Sequence, residues 1–226
     1  MSSVDLCIQR HLVSPGRRFD LDVALQTTQR RVVIFGESGA GKSLTLKAIA
    51  GLLRPDRGWI RVDGTPLFDA AQGINLSPQA RRLGYVFQDY ALFPHLTVRQ
   101  NIAFPLATGL FNPRARGRLP AVEQWLDQLQ LGHVADQYPR DISGGQRQRT
   151  AVARALVAQP RALLLDEPFA ALDHASRQAT RLGLERLLHA LGIPVVLITH
   201  DPADVEVFGG AVLHLRDGRT VGAAPG

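Results

Sequence analysis

The sequence has a single cysteine and no long apolar run, and each absence excludes a class of protein. Cys7 is the one cysteine among 226 residues, so no disulfide can form within the chain and a reducing, cytoplasmic compartment is expected. No apolar stretch approaches the roughly 18 residues of a membrane-spanning helix. The first residues, MSSVDLCIQR, lack the layout of a secretion signal. With 45% hydrophobic residues, residues 1–226 are expected to fold as one unit around a sizeable core.

Lysine is also scarce, because Lys42 and Lys47 are the only two lysines among 26 basic residues. The formal net charge of +6 could indicate a protein that binds nucleic acid or a membrane surface. The arginines that carry this charge are, however, distributed along the whole chain. This even distribution indicates no dedicated basic patch, so no nucleic-acid partner is expected.

Hydrophobic periodicity predicts an α/β fold. Apolar and polar residues alternate over 4–25, which indicates half-buried antiparallel strands. Continuous apolar runs, typical of buried parallel strands, occur at 32–35, 162–165 and 195–198, with a further strand at 212–215. Helices are expected at 43–53, 121–131, 145–159 and 174–191, and a hairpin with an Asp-Gly turn at 59–67. The order of these elements predicts a parallel sheet with helices, an antiparallel β lobe and a helical lobe at roughly 90–150.

One motif has a definite chemistry: GESGAGKS at 36–43, between a buried strand and a helix, matches the phosphate-binding P-loop. Its glycines let the backbone curl so that several N–H groups point at one phosphate chain. Lys42 brings positive charge to the outer phosphates, and the hydroxyl of Ser43 can bind Mg²⁺. The candidate nucleotide-binding residues here are Gly36, Glu37, Ser38, Gly39, Ala40, Gly41, Lys42, Ser43 and Leu44.

Polar residues at or after the ends of strands supply further candidates. Asp166 ends one buried strand and is suited to hold Mg²⁺, and the adjacent Glu167 is suited to orient or deprotonate an attacking water. His200 follows another buried strand, where its imidazole could hold a γ-phosphate and water, although an isolated histidine is often structural. Gln88, in GYVFQDYALFPH, can touch both Mg²⁺ and water. The metal candidates are therefore Ser43, Gln88 and Asp166, and the catalytic candidates are Glu167, His200 and Gln88.

The ordered set GESGAGKS, Gln88, ISGGQ, LLLDEP, AALD and His200 resembles the ATP-binding subunits of ABC transporters over residues 1–222. The resemblance implies a P-loop NTPase with a RecA-like core, an antiparallel β lobe and an α-helical signature lobe, with ATP and Mg²⁺ as cofactors. It also implies further nucleotide-contacting residues, namely Ser143, Gly144, Gly145 and Gln146 of the signature and Asp173 of the D-loop. In this family the signature closes over the ATP of a partner copy, which implies a homodimer across two ATP sites.

Residues 55–104 resemble the molybdate-importer subfamily more closely, although importers for related oxyanions such as sulfate and for iron share much of this sequence. The resemblance implies a peripheral ATPase at the cytoplasmic face of the inner membrane that drives transmembrane permease subunits and, indirectly, works with a substrate-binding protein. An exporter subunit, a non-transport ABC ATPase and an ATP-dependent interaction module without turnover are the alternatives. The stretch LFPHLTV at 92–98 is expected to contact the permease through Phe93 or Leu96.

Two features depart from the subfamily pattern. Its members often have a further C-terminal β domain for regulation, and this chain stops at Gly226, so no such domain is expected here; a short natural form and a removed domain both remain open. The family usually stacks adenine on an aromatic residue of the β lobe. Phe19 is the nearest candidate, whereas a direct count points to Val13, and a core role for Phe19 is the alternative.

Overall fold

The computed structural model describes residues 3–14, 16–107, 112–114, 117–172 and 174–221. Its strands are β1 (Val4–Ser14), β2 (Arg17–Thr27), β3 (Arg31–Phe35), β4 (Arg57–Val62), β5 (Thr65–Asp69), β6 (Ile74–Asn75), β7 (Leu83–Val86), β8 (Ala162–Asp166), β9 (Val195–Thr199), β10 (Ala211–Arg216) and β11 (Arg219–Thr220). Its helices are α1 (Lys42–Ala50), α2 (Pro78–Arg81), α3 (Val98–Ala103), α4 (Pro120–Gln128), α5 (Gly144–Leu156), α6 (His174–Leu191) and α7 (Pro202–Phe208).

These strands form one sheet in the order β6-β5-β4-β1-β2-β11-β10-β3-β9-β8-β7. One half, from β10 to β7, is parallel, and the other half, from β6 to β2, is antiparallel. The short strand β11 joins the halves, since it pairs antiparallel with β10 and parallel with β2. The predicted α/β architecture is therefore confirmed, and the carboxyl ends of β3, β8 and β9 meet at one edge of the parallel half.

The antiparallel half follows the period-two pattern of its sequence. On β1, Val4, Leu6 and Ile8 are buried in the core that α1 also covers, and the intervening residues are more exposed. The hairpin β4–β5 turns at Asp63 and Gly64, whose φ angles of 49° and 73° fit the two-residue turn that Asp-Gly favours. Local sequence patterns therefore predict which residues of β1 face the core and where this hairpin turns.

The helices lie close to their predicted bounds, and one of them ends early for an identifiable reason. Helix α1 ends at Ala50, before the expected Leu53, because Gly51 takes a φ of 81° and its N–H bonds back to the carbonyls of Ala48 and Lys47. Helix α6 has the bounds expected from its pattern. Helices α3, α4 and α5 share an apolar cluster of their own. No helix in the described ranges is both long and apolar enough to cross a membrane.

A buried cation stabilises the C-terminal end of α1. Arg81 is fully buried, and its Nη1 donates to the carbonyl oxygens of Ala48 at 2.7 Å and Ile49 at 2.8 Å. Its Nε donates to the carbonyl of Leu76 at 3.0 Å. Burial lowers the pKa of Arg81 to about 10, so the group stays charged at neutral pH. The charge complements the negative end of the helix dipole.

Candidate functional site

The P-loop connects β3 to α1 through a backbone that requires glycine at several points. Gly39 and Gly41 have φ angles of 85° and 98°, where a side chain is strained. Gly36 lies against β10, so a Cβ there would come within 2.3 Å of the carbonyl oxygen of Leu215. Ala40 buries its side chain in the core, and Glu37 is exposed away from the cleft described next. These two residues therefore contribute backbone, and not side chains, to the loop.

A cleft of about 470 Å³ opens over this loop, within the usual size range of ligand pockets. It is lined by Leu12, Phe19, Ser38, Gly39, Gly41, Lys42, Ser43, Leu44, Gln88 and Glu167. The fold thus brings the P-loop together with Gln88, from the segment after β7, and with Glu167, from the segment after β8. About half of the residues predicted from the sequence to contact nucleotide or water share this cleft, and His200 lies outside it.

The ammonium of Lys42 lies at the centre of this arrangement and is 4% exposed. Its Nζ donates to the carbonyl oxygens of Gly36 at 2.8 Å and Glu37 at 3.0 Å. It also lies 3.4 Å from Oε1 of Glu167. A buried cation is costly unless it is paired, and in this structure the two carbonyl oxygens and the carboxylate of Glu167 supply that pairing.

Oxygen donors suited to Mg²⁺ lie beside the lysine. The hydroxyl of Ser43 donates to Oδ1 of Asp166 at 3.2 Å, and the hydroxyl of Tyr85 donates to Oδ2 at 2.8 Å. Burial and the neighbouring carboxylate raise the pKa of Tyr85 far above its usual value, so the phenol stays protonated and acts as a donor. Mg²⁺ prefers such oxygen ligands and usually binds through one or two carboxylates together with substrate phosphates. The donor set of Ser43, Asp166 and Gln88 fits this metal.

Glu167 occupies a strained and well-supported position. Its φ of 42° is unusual for a non-glycine residue, and its N–H donates to the carbonyl of Ile198 at 3.1 Å. Its Oε2 lies 3.2 Å from Nδ1 of His200, so two of the three predicted catalytic residues are in contact. Backbone strain of this kind persists only where the surrounding structure enforces it, and it clusters at functional sites.

A buried network holds both neighbours of His200 in place. Thr199 donates to Oδ2 of Asp204 at 2.5 Å, and Nε of Arg181 donates to Oδ1 of Asp204 at 2.6 Å. Nη2 of Arg181 donates to Asp201 at 2.7 Å. Burial raises the pKa of Asp204, although its hydrogen bonds and the arginine oppose this shift. The backbone on each side of His200 is thereby tied to α6.

The β lobe places Phe19, and not Val13, at the cleft. In the β1–β2 hairpin Phe19 pairs with Leu12, and both line the cleft, whereas Val13 is 77% exposed and does not line it. The ring of Phe19 lies close to Gly41 and also packs against the core cluster. Stacking on a base remains a prediction, since the ring contacts both the cleft and the core.

The signature residues lie elsewhere, at the start of α5. Ser143 and Gln146 form a capping box, in which Ser143 Oγ accepts from the N–H of Gln146 and Gln146 Oε1 accepts from the N–H of Ser143 at 2.8 Å. Gly144 and Gly145 begin the helix. None of these four residues lines the cleft over the P-loop. Asp173 lies outside the described residues.

Two side chains at the site were not anticipated from the sequence. Tyr85 bonds to Asp166, and Leu12 forms part of the cleft wall. The four-residue strand β7 is too short to show a clear alternation, and the register of a hairpin cannot be read from periodicity alone. Recognising β7 as the partner of β8 would have placed Tyr85 beside the carboxylate.

The chain is similar in sequence to a known protein family. Residues 20–170 match the family model described as ABC transporter. The molybdenum import ATP-binding protein ModC of Rhodospirillum rubrum is 39% identical over 211 residues, which cover 91% of this chain and 54% of the relative. The ModC of Mycobacterium tuberculosis is 42% identical over 221 residues, which cover 96% of this chain and 59% of the relative. The chain thus spans little more than half the length of these relatives.

Solved structures show the same architecture. The ATP-binding cassette MJ0796, in a dimeric post-hydrolysis state bound to ADP and Pi, superposes with a TM-score of 0.77 at 30% identity and covers 96% of both chains. A second dimeric structure of MJ0796, described as a bacterial ABC transporter cassette, gives a TM-score of 0.76 at 29% identity. These similarities confirm the predicted P-loop NTPase fold.

Proposed function

Since the chain belongs to the ABC transporter family, we propose that it hydrolyses ATP and thereby powers an importer for molybdate or a related oxyanion. The observation that carries the ATPase proposal is that Lys42, Ser43 and Glu167 line one cleft, while Asp166 contacts Ser43 and His200 contacts Glu167 behind it. These groups bind phosphate, hold a metal and handle the proton of a water, which together are the parts that phosphoryl transfer to water requires.

The chain's own residues divide this work among them. The P-loop N–H groups and Lys42 bind the phosphate chain. The ammonium of Lys42 exchanges its hydrogen bonds to the carbonyls of Gly36 and Glu37 for bonds to phosphate oxygens. Ser43 and Asp166, with Gln88, would hold Mg²⁺, which supplies neutralisation of phosphate charge when bound. Glu167 accepts a proton from the attacking water as a general base.

The contact of His200 with Glu167 orients the carboxylate of that base. The Arg181–Asp204 network behind His200 holds the imidazole in turn, through its two backbone neighbours. A general base works only within hydrogen-bond reach of the proton that it removes, so this support bears directly on the rate.

The ATPase proposal is tested by Glu167→Gln, which keeps the shape of the side chain and removes the base. We expect this variant to bind ATP normally, to hydrolyse it at least about 100-fold more slowly and to accumulate as an ATP-bound dimer on gel filtration. Glu206→Gln is the matched control, because Glu206 is an exposed glutamate away from the cleft. Near-normal turnover by Glu167→Gln would exclude Glu167 as the base.

The proposed substrate rests on the relatives. Two of them, at 39% and 42% identity, are named molybdenum import ATP-binding proteins, and the likeness extends over nearly the whole of this chain. The test is to reconstitute the chain with its permease and to measure uptake of molybdate, sulfate and ferric iron. Transport of sulfate or iron without molybdate would assign a different importer, and ATP-driven release of substrate would make it an exporter.

We also propose a homodimer in which each signature serves the ATP of the other copy. Ser143 and its helix start are separate from the cleft of their own chain, and helix N-termini favour anions. The MJ0796 cassettes of the same fold are dimeric. Two such copies, arranged head to tail, form two composite ATP sites.

Mixing two inactive variants tests this arrangement. In a mixed dimer of Lys42→Ala and Ser143→Arg chains, a signature acting in trans places both defects in one site and leaves the other intact. We expect mixed dimers to trap about one ATP each, because one of their two composite sites is intact. Either variant alone should trap essentially none. If tagged chains co-assemble but the mixture traps no ATP, the trans arrangement is excluded.

We propose that the permease docks on an aromatic surface made of Phe93, Pro94, His95 and Phe104. The rings of Phe93 and Phe104 lie 4.3 Å apart, and Phe104 is 38% exposed. Arg154 of α5 lies over the ring of Phe93 and donates to the carbonyl of Ala91 at 2.7 Å. The chain segment from Gln88 to Phe93 therefore links the cleft to this surface.

The expectation that Leu96 takes part in docking is wrong. Leu96 is 2% exposed, so its side chain is not part of this surface, and aspartate there would bury an unpaired charge. A peripheral location at the cytoplasmic face of the inner membrane, with a substrate-binding protein acting through the permease, completes the proposal.

A further inference from the structure

Tyr85 is adjacent to the proposed metal ligand Asp166, and the mechanism above gives it no task. In the parallel pair of β7 and β8, Tyr85 lies opposite Leu164. Because side chains alternate along a strand, Leu164 and Asp166 point to the same face, so the phenol hydroxyl reaches one step along the sheet to Asp166. The tyrosine ring packs against the core cluster beneath α1.

The two carboxylate oxygens of Asp166 are engaged differently. Oδ1 accepts from Ser43 at 3.2 Å, and Oδ2 accepts from Tyr85 at 2.8 Å. Within the described ranges, no other hydrogen-bond donor reaches Oδ2. Asp166 is itself 6% exposed, so solvent offers little alternative. The phenol therefore fixes the orientation of the carboxylate, with one oxygen facing Ser43.

The tyrosine ring is itself held in place. It lies 4.3 Å from the ring of Phe87 at an interplanar angle of 37°. Phe87 precedes Gln88, another proposed metal ligand that lines the cleft. One short segment, from Tyr85 to Gln88, therefore supports one ligand of the site and supplies another.

We propose that Tyr85 is a positioning residue of the magnesium site, which holds the carboxylate of Asp166 with Oδ1 turned toward Ser43. The inference rests on the proposed function, because it assumes that Ser43 and Asp166 hold the metal of a bound nucleotide. Hydrogen-bonding partners of metal ligands typically change metal affinity by about 10- to 100-fold when they are removed. Tyr85 does not touch the nucleotide in this scheme, so its removal affects the metal alone.

The variant Tyr85→Phe removes one oxygen atom and leaves the ring. Binding of Mn²⁺, a paramagnetic probe, is followed by electron paramagnetic resonance on the chain saturated with the non-hydrolysable ATP analogue AMP-PNP. We expect the dissociation constant for Mn²⁺ to rise by about tenfold or more, while the affinity for AMP-PNP in excess EDTA stays at the wild-type value. Tyr90→Phe is the matched control, because the hydroxyl of Tyr90 is also buried but faces the carbonyl of Pro168 at 3.4 Å.

The possible outcomes separate this inference from the proposed function. Wild-type Mn²⁺ affinity in Tyr85→Phe, with the affinity lost in Asp166→Asn, would overturn the positioning role and leave the ATPase proposal intact. A parallel loss of metal-free AMP-PNP affinity would show a general distortion of the cleft and would also overturn it. Failure of the wild-type chain to bind AMP-PNP would refute the proposed function, and the inference with it.

Discussion

Replacing Arg81 by methionine removes the cation that stabilises the end of the P-loop helix. The guanidinium donates to the carbonyls of Ala48, Ile49 and Leu76 and to the side chain of Asn75. Methionine follows a similar path but donates nothing, so buried carbonyls lose their partners at about 1–3 kcal/mol each. The charge of Arg81 has no carboxylate partner in the described structure, so removing it also removes a desolvation penalty, which offsets part of this loss of stability. We expect the free energy of unfolding to fall by about 3 kcal/mol.

The measurement is urea and thermal unfolding of the wild type and the variant. For a domain of this size, a loss of about 3 kcal/mol lowers the melting temperature by about 6–12 °C. Arg82→Met is the matched control, because Arg82 is the exposed neighbour and its side chain makes no hydrogen bond in the described structure; its effect should stay within about 0.5 kcal/mol. Equal stability of the two variants would refute the capping role of Arg81.

Three further predictions concern other elements. Gly183→Ala should stabilise the chain by about 0.5–1 kcal/mol in urea, because a Cβ at this exposed position of α6 meets no atom within 4 Å; a loss of stability would show that the space is needed. Arg181→Met should cost about 3–5 kcal/mol in the same assay, since the buried Asp204 loses its ion pair; an unchanged free energy of unfolding would refute the contribution of this pair. Phe104→Asp should abolish stimulation of ATPase by the permease while basal ATPase survives, and normal stimulation would move the docking surface elsewhere.

The P-loop and the strand-end residues could be predicted from the sequence because their chemistry depends on local patterns. A glycine loop between a buried strand and a helix indicates the proposed phosphate site, and polar residues at or after the ends of buried strands indicate the proposed metal and water positions. Parallel pairing then brings Asp166 and His200 to the same sheet edge as Lys42. The sequence pattern predicts these parallel strands, and their pairing places the three residues at one sheet edge.

Contacts that depend on strand register or on tertiary packing could not be predicted in this way. The choice between Phe19 and Val13 depends on the register of the β1–β2 hairpin, which places Leu12 opposite Phe19 and cannot be derived from alternation alone. Leu96 reads as part of an exposed loop but is buried by tertiary packing. The bond between Tyr85 and Asp166 joins residues 81 positions apart, and no local pattern contains it.

The start of α5 has backbone donors that bear on the proposed homodimer. Ser143 and Gln146 cap each other's backbone N–H groups, so the capping box satisfies two of the donors at this helix end. The N–H groups of Gly144 and Gly145 remain, and in the described structure they have no hydrogen-bond partner. Donors at a helix N-terminus favour an anion, yet the cleft of the same chain does not include them. In the proposed homodimer, the phosphates bound by a second copy would lie against these N–H groups and accept from them.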